Sequence, residues 1–328
     1  MKSHIKVILL TIILQVTFGL NLINITLASE PGKAEKLIKV STGLAPFKTF
    51  IEKIGKTRVS VATLLPPGSS AHSYTPSPRR LAEIARTDVY FSSGMFFESR
   101  LTAKLKSTDS GPVFVDLSKN VKLLEGSNCP CSVHLDSSNT IKITKTKVTS
   151  IKRTTGKNST GGKDTLKDPH TWMDPSKVIT MLIQIKEHLA LIDKDGKSFY
   201  SRNCIDYINQ INATDKQLIT MLKPFKNEHF YVYHPSLGYF AKRYNIKQIP
   251  IETGGKEPSG RQLATLIRDV KKSGVQAIIV QKDFPKHAAK RLSETINKDV
   301  KIIDPLSPDY CNNLLTIGKI LTESLSKR

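Results

Sequence analysis

The stretch LIKVSTGLAPFKTFIEKIGKTRVSVAT, residues 37–63, contains two β-prone runs separated by a helical pattern. The first run is Leu37–Ser41 and the second is Val59–Thr63, and between them Pro46–Ile54 has the spacing of a helix. Strands that alternate with helices of this length are typical of βαβ units, whose strands pair in parallel. The stretch therefore predicts the beginning of a parallel α/β sheet.

The same alternation continues through the chain and predicts two similar halves. The further elements expected in the first half are helix Arg79–Arg86, strand Val89–Ser92, a helix near Glu98–Lys106 and strand Val113–Val115. Those expected in the second half are strands Phe230–Tyr233, Gln248–Ile251, Ala277–Val280 and Lys301–Ile303, with helices Gly238–Tyr244, Arg261–Lys272, Pro285–Asn297 and one from about Tyr310. The second half thus repeats the topology of the first.

Two helices are predicted between the halves. Asp174 and Pro175 are a typical N-cap and first-turn pair, and they open a helix to about Ile192. A longer helix follows from about Lys197 to Leu222. We therefore expect an α/β fold of two lobes, each a parallel β-sheet flanked by helices, joined by one long backbone helix. The predicted limits are 29–195 for the first lobe, 196–223 for the linking helix and 224–328 for the second lobe.

Residues 1–28 are predicted to be a cleavable signal peptide. Lys2 and Lys6 precede an apolar run from Val7 to about Ile25, and small residues follow at a suitable cleavage point. No cysteine lies near that point, so we expect no lipid anchor, and no later run approaches the roughly 20 apolar residues of a membrane span. The mature protein is expected to be soluble and periplasmic.

The chain is basic, with a formal net charge of +22. Its lysines are spread singly among polar residues without the aromatic-interleaved motifs typical of nucleic-acid binding, so no nucleic-acid partner is expected. Residues 118–167 carry ten Lys and Arg against three acids and show no sustained period. A segment this polar and long is predicted to be a mobile surface loop.

Four cysteines lie beyond the signal, and an oxidising compartment permits disulfides between them. Pairing of Cys129 with Cys131 and of Cys204 with Cys311 is the preferred arrangement, and free thiols are the alternative.

Three histidines and one aspartate are the candidate metal ligands: His72, His170, His234 and Asp304. They lie 98, 64 and 70 residues apart, so only the tertiary fold can bring them together. His72 lies in the loop that leaves the second predicted strand, whereas His234 and Asp304 come directly at the ends of the predicted strands Phe230–Tyr233 and Lys301–Ile303. Open α/β sheets bind ligands beyond the carboxyl ends of their strands, and three imidazoles with a carboxylate suit tetrahedral zinc.

Other residues have weaker claims on this site. Asp168 is a candidate acceptor for an imidazole N–H or a helix-entry residue, and Trp172 either walls the site or belongs to the core. Glu252 lies near the expected cleft or is a solvated loop acid. His134, beside Cys129 and Cys131, is a further candidate for handling metal, whereas the remaining histidines fall in the signal, on helix surfaces or before a strand.

Five motifs together resemble one family, the metal-specific solute-binding proteins of ABC importers of the ZnuA/TroA type. They are PPGSSAHSYTPSP at 66–78, DPHTWMDP at 168–175, YHPSLGYF at 233–240, GKEPS at 255–259 and IDPL at 303–306. The resemblance implies one metal buried between two lobes, and it places His72, His170, His234 and Asp304 on the family's ligand positions. Zinc members of the family often carry a histidine- and acid-rich loop, but the loop at 118–167 is basic with one histidine.

These observations predict a monomeric protein that captures Zn²⁺ as a transported ligand and delivers it to an ABC permease with a separate ATPase subunit. Three imidazoles favour zinc over manganese, since manganese sites lean on oxygen ligands. Four protein ligands leave no open coordination position, so no enzyme activity is expected. The alternatives are a manganese-binding homologue, a surface adhesin on the same fold, and a secreted zinc hydrolase in which water replaces one ligand.

Overall fold

The strand–helix–strand unit predicted over 37–63 is present and begins the first of two sheets. The computed structural model describes residues 37–71, 74–98, 111–125, 167–252 and 258–326. The predicted signal peptide lies outside these ranges, as do Cys129, Cys131, His134 and most of the predicted loop and of the helix near Glu98–Lys106. The predicted lobe limits stay predictions.

The first sheet has four parallel strands in the order β2-β1-β3-β4. Its strands are β1 (Ile38–Thr42), β2 (Val59–Thr63), β3 (Val89–Ser92) and β4 (Val113–Asp116). Helix α1 (Ala45–Gly55) connects β1 to β2, and α2 (Pro78–Ala85) precedes β3. Ser77 caps α2, because its side chain accepts a hydrogen bond from the backbone N–H of Arg80.

The second sheet repeats this arrangement, with parallel strands in the order β6-β5-β7-β8. Its strands are β5 (His229–Val232), β6 (Lys247–Pro250), β7 (Ala277–Gln281) and β8 (Asp299–Ile303). The helices between them are α5 (Gly238–Arg243), α6 (Gly260–Ser273) and α7 (Lys286–Ile296). All five residues of β7 are buried, as expected for a central strand covered on both faces.

Two long helices lie between the sheets in the sequence, α3 (Pro175–Ile192) and α4 (Lys197–Leu222). They pack against each other, and the C-terminal helix α8 (Tyr310–Leu325) packs on α4. The N-terminal end of α8 also reaches the first lobe, where the rings of Phe50 and Tyr310 meet edge to face with centroids 4.9 Å apart. The fold is therefore the predicted two-lobed α/β architecture, and α8 adds a contact between the lobes that the periodicity did not predict.

Element limits agree with the predictions to within two residues over most of the described chain, and β5 is the informative difference. The strand includes His229 and ends at Val232 rather than at Tyr233. His234 consequently lies two residues beyond the strand, although the backbone N–H of Tyr233 still donates to the carbonyl of Ile279 across the sheet. The sequence predicted that His234 directly follows the strand, and this was wrong by one residue.

The predicted disulfide between Cys204 and Cys311 is also wrong, since both residues are free thiols. The two side chains have different surroundings. Cys204 is buried on α4 with Lys186 and Glu187 of α3 nearby, whereas Cys311 hydrogen-bonds with Tyr207 and Thr214. Burial raises the pKa of both thiols, which makes them less reactive than exposed cysteines.

Within the described ranges, none of the helices is both long and apolar enough to cross a membrane.

We expect Phe50→Ala to destabilise the fold by about 3–5 kcal/mol, the usual cost of truncating a buried aromatic ring. Phe50 is fully buried on α1 and its ring contacts those of Phe47, Tyr207 and Tyr310, so the cavity would lie where α1, α4 and α8 meet. Urea unfolding followed by circular dichroism measures the loss. Ile205→Ala on α4 is the control, because its 59% exposed side chain should change stability by only about 0.5 kcal/mol.

Candidate metal centre

His170 lies in a buried segment, residues 168–174, that leads into α3. Only 4% of His170 is exposed. Asp168 accepts hydrogen bonds from both the backbone N–H of His170 (2.9 Å) and its ring atom Nδ1 (2.8 Å). A proton held on Nδ1 by this carboxylate leaves the lone pair on Nε2, which is the tautomer that binds a metal through Nε2.

His234 is held in the same way by an acid from a different part of the chain. Its Nδ1 lies 2.5 Å from Oε1 of Glu252, the second residue after β6. Gln281, the last residue of β7, fixes the backbone of His234, because its amide donates to the His234 carbonyl (2.7 Å) and accepts from the His234 N–H (3.3 Å). Both sides of the Glu252–His234 pair are about 10% exposed, so Glu252 is an orienting group rather than a solvated loop acid.

The two imidazoles converge at their Nε2 atoms. His170 Nε2 lies 3.4 Å from His234 Nε2, and the ring centroids are 5.2 Å apart. Two nitrogens bound to one tetrahedral zinc at the usual Zn–N distance of about 2.0–2.1 Å are separated by about 3.3–3.4 Å. The spacing and the inward tautomers therefore fit a shared metal ion.

Burial lowers the pKa of His234 below its ordinary value, because desolvation disfavours the imidazolium. The hydrogen bond to Glu252 acts in the opposite direction, and the nearby His170 lowers the pKa further. The net effect keeps the ring neutral, which is the protonation state that binds metal.

Asp304 directly follows β8 but faces a different partner from the histidines. Its Oδ1 accepts the backbone N–H of Leu306 at 3.0 Å, and its Oδ2 lies 3.1 Å from Nζ of Lys282. In the part of the chain that the structure describes, no group of three or more His, Cys, Asp or Glu side chains is arranged to hold a metal ion. The structure thus brings His170 and His234 together and leaves Asp304 engaged with Lys282.

His72 lies outside the described residues, as does Ser73. Of the described residues on either side, Ala71 is buried, and the ring of Tyr74 meets that of Phe97 edge to face with centroids 6.1 Å apart. The role of His72 as a ligand therefore stays a prediction.

Trp172 is both a neighbour of the histidine pair and a core residue. It is 1% exposed, and its ring centroid lies 5.4 Å from that of His170. Its indole N–H donates to the carbonyl of Pro305 at 2.8 Å. The residue after Asp304 is thereby tied to the segment that carries His170.

The second lobe also supports Asp168, through residues that sequence reasoning did not select. The hydroxyl of Tyr239 donates to the Asp168 carbonyl (2.8 Å) and accepts the N–H of Leu124 (2.9 Å). A Cβ at Gly238 would lie 2.7 Å from Oδ2 of Asp168, so a side chain there would displace the carboxylate. The motif YHPSLGYF, quoted for His234, thus also shapes the surroundings of His170.

The sequence reasoning also did not select Lys282, although its position in the sequence could have indicated that it lies near the site. It directly follows β7, at the sheet edge where ligands of open α/β folds gather, so the rule that selected His234 and Asp304 also selects Lys282.

We expect Asp168→Asn to weaken zinc binding about 10- to 100-fold, the usual effect of removing an outer carboxylate behind a ligating histidine. The amide can no longer hold the Nδ1 proton of His170 with a full negative charge, so the reactive tautomer is less favoured. Competition titration against a chelator of known affinity measures the loss. Asp206→Asn on the exposed side of α4 removes the same charge and should change zinc affinity less than about twofold. Equal affinities for the parent and Asp168→Asn would contradict the orienting role.

Comparisons with known proteins agree with this architecture. The family model described as ZnuA, zinc-uptake complex component A, periplasmic, matches residues 40–323. A relative from Bacillus subtilis (strain 168), named high-affinity zinc uptake system protein ZnuA, is 26% identical over 284 residues, covering 86% of this chain and 82% of the relative. The zinc-binding protein AdcA of Streptococcus pyogenes serotype M6 is 26% identical over 275 residues, and there this chain spans about half (51%) of the relative's length.

Solved structures support the same relationship. A crystal structure of ZnuA superimposes with a TM-score of 0.74 at 26% identity, covering 88% of this chain and 100% of that one. A ZnuA deletion mutant with zinc bound gives the same TM-score and identity, with 89% and 99% coverage. These matches confirm the predicted fold class and the resemblance drawn from the five motifs. Because the family match spans most of the sequence, the chain belongs to the ZnuA family of periplasmic zinc-uptake components, which are binding proteins of transport systems and not enzymes.

Proposed function

We propose that this protein captures Zn²⁺ outside the inner membrane and delivers it to an ABC permease for high-affinity uptake. The observation that carries the proposal is the pair of buried histidines whose Nε2 atoms lie 3.4 Å apart, each with its Nδ1 held by a carboxylate. The proposed ligands are His72, His170, His234 and Asp304. The ion is cargo, so the site must both bind it and release it.

Zinc is the proposed cargo because of the donor types. Imidazole nitrogen suits zinc, whereas manganese prefers oxygen ligands and stands lower in the order of divalent affinities. The relatives named above are zinc-uptake and zinc-binding proteins, and one ZnuA structure was solved with zinc bound.

The two acids nearest the histidines act as orienting groups in this proposal. Asp168 and Glu252 are each hydrogen-bonded to an imidazole Nδ1, so neither is placed as a base for a metal-bound water. A hydrolase would also need an open coordination position, which three histidines and an aspartate would fill. Binding and release therefore explain the site better than hydrolysis.

His72 and Asp304 would complete the coordination from the two sheets. Asp304 lies directly beyond the carboxyl end of β8, the edge where open α/β sheets bind ligands, and in the sequence His72 comes in the segment after β2. Pro305 is already hydrogen-bonded to Trp172, which keeps Asp304 within the same region of the chain as His170. We further propose that the protein works as a periplasmic monomer and that a separate ATPase subunit drives the permease.

Calorimetric titration of the metal-stripped protein tests this set of ligands. We expect one tight zinc per chain, and alanine in place of His72, His170, His234 or Asp304 should each weaken it by about 100-fold or more, about 2.7 kcal/mol. His188→Ala and His229→Ala are controls, since His188 bonds the carbonyl of Gln184 and His229 lies against Tyr231, away from the pair. Two equally tight sites, or none, would refute the proposal.

Transport is tested separately from binding. In a bacterium that lacks its own zinc-binding component, the parent gene together with its permease should restore growth in chelated medium, and a His234→Ala gene should not. Restoration by the His234→Ala variant would show that uptake does not depend on this site. The purified parent protein should also show no hydrolysis of ester or peptide substrates after loading with zinc.

Zinc affinity should fall as the pH is lowered, because protons compete with zinc for the imidazoles. An ordinary imidazole has a pKa of about 6.5, and burial lowers that of His234, so affinity should be nearly constant above about pH 7 and fall steeply below about pH 6. Titrations at several pH values measure the slope, and His234→Asp should make it shallower. An unchanged affinity between about pH 7.5 and 5 would exclude histidine ligation.

A further inference from the structure

Lys282 and Asp304 form an ion pair at the edge of the second sheet, and its position follows from the strand register. Residues Gln281 and Ile303 are partners at the ends of the parallel strands β7 and β8. The register continues one step further, because the backbone N–H of Lys282 donates to the Ile303 carbonyl at 2.8 Å. Lys282 and Asp304 therefore stand side by side because of the sheet, and their side chains meet at 3.1 Å.

From this geometry we infer that Lys282 is a built-in competitor for the cargo, an ammonium group that holds Asp304 until zinc replaces it and that lowers zinc affinity to allow release. The inference rests on the proposed function, in which Asp304 is a zinc ligand. Lys282 would then set the zinc affinity of that site.

Both oxygens of Asp304 are engaged in the described structure. Among the described residues, Oδ1 accepts the N–H of Leu306 in the turn after β8, whereas Oδ2 contacts the side chain of Lys282. A bound cation would therefore take Oδ2, the oxygen whose partner can move. The backbone contact would keep the carboxylate in place during the exchange.

The exposure of the two side chains makes this exchange feasible. The Lys282 side chain is 71% exposed and that of Asp304 is 30% exposed, so the ammonium can swing into water without breaking a packed core. Exposed ion pairs contribute little to stability, which keeps the competition modest.

The rest of the metal centre has the opposite charge character. Asp168 and Glu252 are hydrogen-bonded to the Nδ1 atoms of His170 and His234, and their negative charges favour a cation between the imidazoles. Within the described part of the chain, Lys282 brings a positive charge into contact with one of the proposed ligands, Asp304. Such an arrangement suits a carrier protein, because a site with only favourable groups would retain its cargo.

The test compares zinc affinity in Lys282→Met and the parent by chelator competition at low and high salt. Methionine keeps much of the length of the side chain and removes its charge, so affinity should rise roughly three- to tenfold at low salt. The gain should shrink in about 0.5 M salt, where the charges are screened. Lys282→Arg, which retains the charge, should bind zinc like the parent. Lys290→Met on α7 makes the same change in net charge at a 79% exposed position and should leave affinity unchanged.

Asp304→Asn identifies the partner through which Lys282 acts. In that background, Lys282→Met should change zinc affinity less than about twofold, because the carboxylate is gone. The melting temperature of the metal-free protein should barely differ between the parent and Lys282→Met, whereas the zinc-induced increase should be larger in the variant. A purely structural lysine would change the metal-free melting temperature and leave zinc affinity alone.

The possible results separate this inference from the proposed function. A parent protein that binds one zinc, with no gain in Lys282→Met, overturns the role of Lys282 and leaves the proposed function standing. A gain that persists unchanged in Asp304→Asn also overturns it, since the effect would not pass through Asp304. A parent protein that binds no zinc overturns both.

Discussion

The proposed metal centre depends most on the approach of two imidazole rings that come from distant parts of the chain. His170 precedes α3, and His234 follows β5, yet their Nε2 atoms are 3.4 Å apart. Each ring is oriented by its own carboxylate, so both lone pairs point to the same place. Two imidazole rings whose Nε2 atoms face each other in a buried position attract each other little, and a metal ion bound between them would engage both nitrogens.

Such a pair needs a rigid surrounding, and the segment 168–174 supplies it. Tyr239 of α5 donates to the carbonyl of Asp168, and Tyr310 of α8 donates to the carbonyl of Trp172. Arg243 adds an ion pair to Asp215 on α4 and lies 3.6 Å from Asp174. These partly buried polar contacts join the second lobe, the long helix and the entry of α3. The position of His170 is therefore determined by contacts from several elements.

Charge near the site is divided in a way that suits binding followed by release. Carboxylates stand behind the histidines, and an ammonium group stands on the aspartate. In the proposed site, the acids would favour the arrival of a cation, and Lys282 would oppose its retention. The chain belongs to a family of zinc-uptake components, and under the proposed function the bound ion must leave the protein again, which this division of charge would assist.

The sequence by itself determined the fold class and the type of residue at the strand ends. Alternating apolar runs predicted both parallel sheets, and the long helix was placed at Lys197–Leu222, as found, because local periodicity and caps depend on neighbours in the chain. Only the tertiary structure decided which groups meet: Glu252 with His234, Gly238 with Asp168, and Lys282 with Asp304. The free thiols of Cys204 and Cys311, predicted as a disulfide, make the same point. Contacts of this kind join residues far apart in the chain or depend on strand register and side-chain direction, which no local pattern records.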